Sequence, residues 1–155
     1  MPKSESLHPA RKGVAVAQRR RARKLLLQAL YQWLLSKNAS HEIEAQFRAE
    51  NEGKIDWEYF HDLFVGITGN PESLDAHLEP HLDRKLSSLD PIERALLYLG
   101  IYEFAHRIDI PYRVAINECV ELAKVFGATD SHKYINGVLD KLAPQMRALE
   151  ANSRR

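Results

Sequence analysis

Apolar residues recur along this chain at intervals of three and four, the spacing that lines one face of a helix. From about Val14 to Lys37, Leu26, Leu30 and Trp33 fall on one stripe, and Leu27, Tyr31 and Leu34 on a second beside it. A surface that wide predicts a helix buried on two sides, or buried on one side and covered by a partner on the other. Asn38–Ser40 ends it, and Ser40-His41-Glu42-Ile43 is expected to start a short second helix. Asp56 opens a third, with Trp57, Phe60, Leu63, Phe64 and Ile67 at helical spacing until Gly69-Asn70-Pro71 stops it. Leu74, Leu78, Leu82 and Leu86 then repeat every four residues, with Pro80 placed to bend or divide the segment.

Asp90-Pro91-Ile92-Glu93 carries a strong helix start: Asp90 as cap, Pro91 in the first turn, and Glu93 where a capping box wants its acid. That helix should run to about His106, with Ile92, Leu96 and Leu99 on one face and Leu97, Ile101 and Phe104 on the other. After Asp109-Ile110-Pro111, Ala115, Cys119, Leu122, Ala123 and Phe126 form a stripe closed by Gly127 at the expected C′ position. Asp130 or Thr129 should cap a last helix whose stripe is Ile135, Val138, Leu139 and Leu142, ending before Pro144, with Gly137 allowing close packing. No stretch alternates convincingly with period two. The expected fold is all-α, a compact bundle of six to eight helices joined by short loops. Residues 1–18 read as a flexible basic arm, 19–150 as the helical domain, and 151–155 as a disordered tail.

Charge adds an asymmetry to this pattern. The chain of 155 residues has a net charge of only +1, yet residues 1–24 hold eight Lys or Arg against the single acid Glu5. That head carries +7, so the rest sums to −6. Arg19, Arg20, Arg21, Arg23 and Lys24 crowd the expected start of the first helix, where the macrodipole is already positive and like charges four residues apart repel. An anion arriving there would relieve both costs, and arginine suits bidentate phosphate contact. A nucleic-acid partner and a simple charged arm both remain open on these grounds. Membrane docking fits less well, because the apolar residues that follow read as core.

Other chemistry finds little support. One cysteine excludes an intramolecular disulfide framework, and Cys119 sits on an apolar stripe as a buried structural thiol. Asp130-Ser131-His132 has the letters of a hydrolase triad, but helix neighbours point about 100° apart and do not converge. His77 and His81 are four apart with Pro80 between them and no further ligand to complete a metal site. No phosphate-cradling glycine loop is present. The longest apolar run, Ala95–Tyr102, is far short of the ~20 residues a membrane helix needs. No apolar h-region marks a signal peptide. The expectation is a cytoplasmic, non-catalytic protein without metal or cofactor.

RRRARKLLLQALYQW, DPIERALLYLGIYE and IPYRVAINECVELAKVFGATDSHKYINGVLDKLAP together resemble the NusB family of bacterial transcription antitermination factors. The resemblance spans about Gln18 to Pro144 and is most specific at its C-terminal part. It implies two small helical subdomains and binding of the boxA element of nascent ribosomal-operon RNA. It also implies action with the small-subunit ribosomal protein NusE inside the RNA polymerase elongation complex. Carried over by position, Arg19, Arg20, Arg21 and Arg23 form the arginine-rich motif, with Lys24 beside them. Tyr31, Asp130 and Tyr134 match positions tied to RNA or to complex assembly, as does Glu93, taken here as a residue of complex assembly, and Lys133 adjoins Tyr134. Tyr134 lies off its helix's apolar stripe, as a platform for an unpaired base would. Structural readings compete: Tyr31 as core, Glu93 as capping acid, Asp130 as N-cap. A protein-interaction module or homodimer without sequence-specific RNA binding is the alternative function.

Overall fold

The structure is a computed structural model that describes residues 9–148, with side chains described from residue 13. Seven α-helices lie among them: α1 (Pro9–Leu35), α2 (Ser40–Glu50), α3 (Trp57–Gly69), α4 (Pro71–Leu78), α5 (Pro91–His106), α6 (Tyr112–Phe126) and α7 (Ser131–Met146). Single 3₁₀ turns at Glu79–His81 and Leu86–Ser88 bridge α4 to α5, so Pro80 divides the leucine repeat as its chemistry requires. The described residues contain no strand, and none of their helices is long and apolar enough to cross a membrane.

Helix α1 begins earlier than the hydrophobic pattern suggests. Pro9 occupies its first turn, where a missing N–H costs nothing, and the helix runs through Gly13 without interruption. Residues 9–18 are therefore helix rather than arm, while the expectations for 1–8 and 151–155 lie outside the described residues.

Helix α5 is the axis of the core. Every residue from Ala95 to Ile101 is buried, a helix surrounded on all sides. Helices α1, α3 and α4 pack on it, as do α6 and α7, and α2 closes over α1 and α3. From α1 come Ala22, Leu26, Leu27, Ala29 and Leu30, all fully buried, meeting Phe60, Leu63, Phe64 and Ile67 of α3. Helices α5 and α7 approach closely: a Cβ on Gly100 would stand 2.8 Å from Leu139 Cδ2. Gly137 has open space around it, so the close-packing role expected there belongs to Gly100 instead.

Several helix ends differ from expectation. Asp90 and Asp130 occupy N-cap positions without a side-chain cap hydrogen bond. Asp56 does cap, its Oδ1 accepting from Tyr59 N at 3.0 Å. Gly127 ends α6 with extended backbone (φ −91°), not the left-handed turn expected of C′. Glycine is needed there because a Cβ would lie 2.8 Å from both Ala123 O and Ser131 Cβ. Pro144 sits inside α7, which continues to Met146.

Candidate nucleic-acid interface

The early start of α1 changes the setting of its arginines. Arg19–Lys24 lies roughly three turns into the helix, so the macrodipole no longer opposes the charge. Counter-charge comes instead from neighbouring elements. Arg19 Nε donates to Asp56 Oδ2 at 3.2 Å, and its Nη1 lies 3.9 Å from Asp109 Oδ2. Arg20 pairs with Glu118 of α6 at 3.2 Å. Arg21 donates to the Lys54 carbonyl at 2.9 Å. The expectation of an anion-hungry cluster is thus only partly met, because the fold itself supplies carboxylates.

Arg23 departs furthest from the expected phosphate contact. Its side chain is 3% exposed and faces Glu103 of α5, Nε to Oε2 at 3.0 Å and Nη2 to Oε1 at 3.3 Å. The Tyr59 hydroxyl donates to the same carboxylate. Three guanidiniums, those of Arg19, Arg23 and Arg107, lie within 5.6 Å of the Tyr59 ring centroid. Burial would lower the Arg23 pKa, but Tyr59 and Glu103 hold it above its ordinary value. Burial and Glu103 push the Tyr59 phenol well up. Arg23 therefore anchors α1 to α3 and α5 and presents no charge to a ligand.

The outward residues of this run are Arg20, Arg21 and Lys24, with Arg19 half-buried. Arg19 and Arg20 line a groove of about 780 Å³ between α1 and the start of α6, together with Asp56, Asp109, Arg113 and Glu118. One turn further along α1, Lys24 lies over the Phe126 ring of α6, 5.9 Å from its centroid. Tyr31 is 39% exposed, which decides between its two readings in favour of surface.

The start of α7 carries the remaining candidates. Asp130 and Lys133 are exposed and 3.6 Å apart. Tyr134 is not an open platform: the Arg84 guanidinium covers its ring at 4.1 Å from the centroid. Burial pushes its phenol up. Glu93 is buried and makes no capping box; its Oε2 accepts from Ser131 Oγ at 2.9 Å, tying the start of α5 to that of α7. Arg84, Glu118 and Glu103 were not singled out by the sequence pattern. The all-round burial of α5 hides Glu103, and Arg84 lies off the leucine repeat in a segment that Pro80 divides.

Residues 20–144 match the NusB family. Transcription antitermination protein NusB of Alcanivorax borkumensis is 56% identical over 138 residues, 88% of this chain and 92% of that protein. The chain belongs to the NusB family. The NusB of Teredinibacter turnerae is 51% identical, covering 92% of this chain and 98% of its own. Among solved structures, T. maritima NusB superposes with a TM-score of 0.71 at 28% identity, over 81% of this chain and 90% of that one. A crystal structure of antitermination factors NusB and NusE in complex with dsRNA gives a TM-score of 0.73 at 24% identity, over 81% and 96%. The all-helical NusB fold accounts for both superpositions.

Proposed function

We propose that this chain is a transcription antitermination factor that binds boxA-type single-stranded RNA of ribosomal RNA operons together with NusE, within the RNA polymerase elongation complex. The observation that carries the reading is the outward cationic run of Arg20, Arg21 and Lys24 on α1, inside the segment that matches the NusB family. These residues, with Arg19, supply salt-dependent contact to phosphates. Tyr31, Asp130 and Lys133 contact bases on the body, as does Tyr134 through the Arg84 that covers its ring. Glu93 acts in complex assembly by holding the α5 and α7 starts together. The protein acts as a non-catalytic adaptor in the cytoplasm.

The test is titration of a boxA RNA and a scrambled control over a salt series, with and without NusE. Tighter binding of boxA RNA, and a slope that shrinks on Arg21→Ala, are expected. Equal affinity for both RNAs with the partner present would remove sequence specificity. A second reading, a protein-interaction module or homodimer, draws on the exposed Val14, Val16 and Leu35 of α1. Unchanged RNA affinity in an Arg20→Ala/Arg21→Ala variant would favour it.

A further inference from the structure

The cationic run of α1 is largely neutralised by its own fold. Asp56 comes from the start of α3, Asp109 from the α5–α6 loop and Glu118 from the middle of α6. Three separate elements each bring one carboxylate to the same groove, where they meet Arg19 and Arg20. Among the described cations of the run, only Arg21 and Lys24 meet no carboxylate. The Arg20 side chain is 63% exposed and Glu118 12%. Glu118 Oε1 also lies 3.5 Å from Nη1 of the buried Arg23, so it is held at this place independently of Arg20. Asp56 already caps α3 through Oδ1, so its Oδ2 contact with Arg19 is not needed for the cap. Asp109 is 56% exposed and held by Arg107 at 3.0 Å, independently of Arg19. The fold has reasons to keep these acids, but packing does not require them to face the arginines that a phosphate would use.

We propose that Asp56, Asp109 and Glu118 are built-in competitors of RNA phosphate, setting the affinity of the α1 arginines by occupying Arg19 and Arg20 until RNA displaces them. The inference rests on the RNA-binding reading above and names the residues that tune it. Each phosphate that reaches Arg19 or Arg20 replaces a carboxylate rather than water. The cost is the same for any RNA sequence. Phosphate contact alone is therefore weakened, and an RNA must add contacts at Arg21, Lys24 and the body to bind well. Neutralising the acids tightens binding to all single-stranded RNA without adding a single new contact.

The experiment compares wild type with Asp56→Asn, Asp109→Asn, Glu118→Gln and the triple variant, using boxA RNA and its scrambled form over a salt series. Each amide keeps the size and an acceptor oxygen, and Asn caps a helix as well as Asp does. Each single variant is expected to bind both RNAs about two- to fivefold more tightly, the range of an exposed ion pair. The slope of log K against log salt counts the phosphates engaged, which the variants leave unchanged, so it should stay at the wild-type value while affinity rises. Weaker binding by variants with an unchanged denaturation midpoint would overturn the proposal, making the carboxylates positioning groups for the arginines. Unchanged affinity would overturn it too. Because Asp109 is exposed, its variant reads out even if the triple variant loses stability. Failure of the RNA-binding reading looks different: wild type itself would show no salt-dependent binding, with Arg21→Ala making no difference, and the inference would fall with it.

Discussion

Arg23 of α1 and Glu103 of α5 meet in the interior through two parallel hydrogen bonds, at 3.0 and 3.3 Å, with side chains 3% and 0% exposed. A bidentate buried pair of this kind holds two helices in register, and its loss leaves an uncompensated charge. Arg23→Ala should destabilise the fold by about 3–5 kcal/mol, read as a lowered urea midpoint with little change in slope. A destabilisation no greater than that of Arg21→Ala would refute the anchoring role. RNA affinity measured at a temperature where the variant stays folded should fall less than it does for Arg21→Ala.

A second prediction concerns α5 against α7. Gly100→Ala would place a methyl within 3 Å of Leu139 Cδ1 and Cδ2, with both residues fully buried. Overpacking of this order costs about 1–3 kcal/mol. Leu139→Ala alone opens a cavity, yet in combination with Gly100→Ala it should recover part of the loss. A double-mutant cycle by chemical denaturation measures the coupling; strict additivity would show that the two positions do not share the space.

Period and punctuation made most of the helices legible in advance. Asp56, Gly69-Asn70-Pro71, Pro91, His106 and the α6 stripe all mark real boundaries, because caps and breakers act locally. The start of α1 was not legible, since residues 9–13 carry a proline and a glycine and no apolar stripe. The division of labour within RRRAR was also hidden. Arg20 and Arg23 are chemically identical, and only the arrival of Glu103 beneath one and Glu118 beside the other separates anchor from contact. Those acids lie 80 and 98 residues away along the chain. Tertiary contact decided what sequence spacing left equal.

Cys119 bears on a third prediction. It is fully buried on α6, its thiol directed at the Leu96 carbonyl at 3.6 Å, and burial with nearby Glu103 pushes its pKa well up. A thiol so placed stays protonated and unreactive. The native protein should resist an aromatic disulfide reagent at neutral pH and react fully once denatured. Rapid modification without denaturant would mean that α6 opens locally.

Acid stability offers a fourth. The hydrogen bond from Arg107 holds the Asp109 carboxyl below its ordinary value, with Arg19 adding to it. A carboxylate whose folded pKa is depressed stabilises the fold above its unfolded pKa, and that contribution disappears as pH falls through the folded value. Asp109→Asn should therefore lower stability slightly at pH 7 and flatten the decline on the acid side. An identical acid limb in wild type and variant would show that the Arg107–Asp109 pair adds nothing measurable.

Arg84 over Tyr134 gives the last. The guanidinium lies over the ring, its Cζ 4.1 Å from the centroid, and replaces the phenol as the face presented to solvent. Arginine planes stack on unpaired bases as aromatic rings do, and the stacking cation also attracts phosphate. A lysine keeps the charge and loses the plane. Arg84→Ala and Arg84→Lys should both weaken binding of short single-stranded RNA by about fivefold or more, the lower end of base stacking. The salt slope should shrink only for alanine. Full recovery of affinity by lysine would reduce Arg84 to a point charge, and an alanine variant that binds as wild type does would return the stacking role to the Tyr134 ring it uncovers.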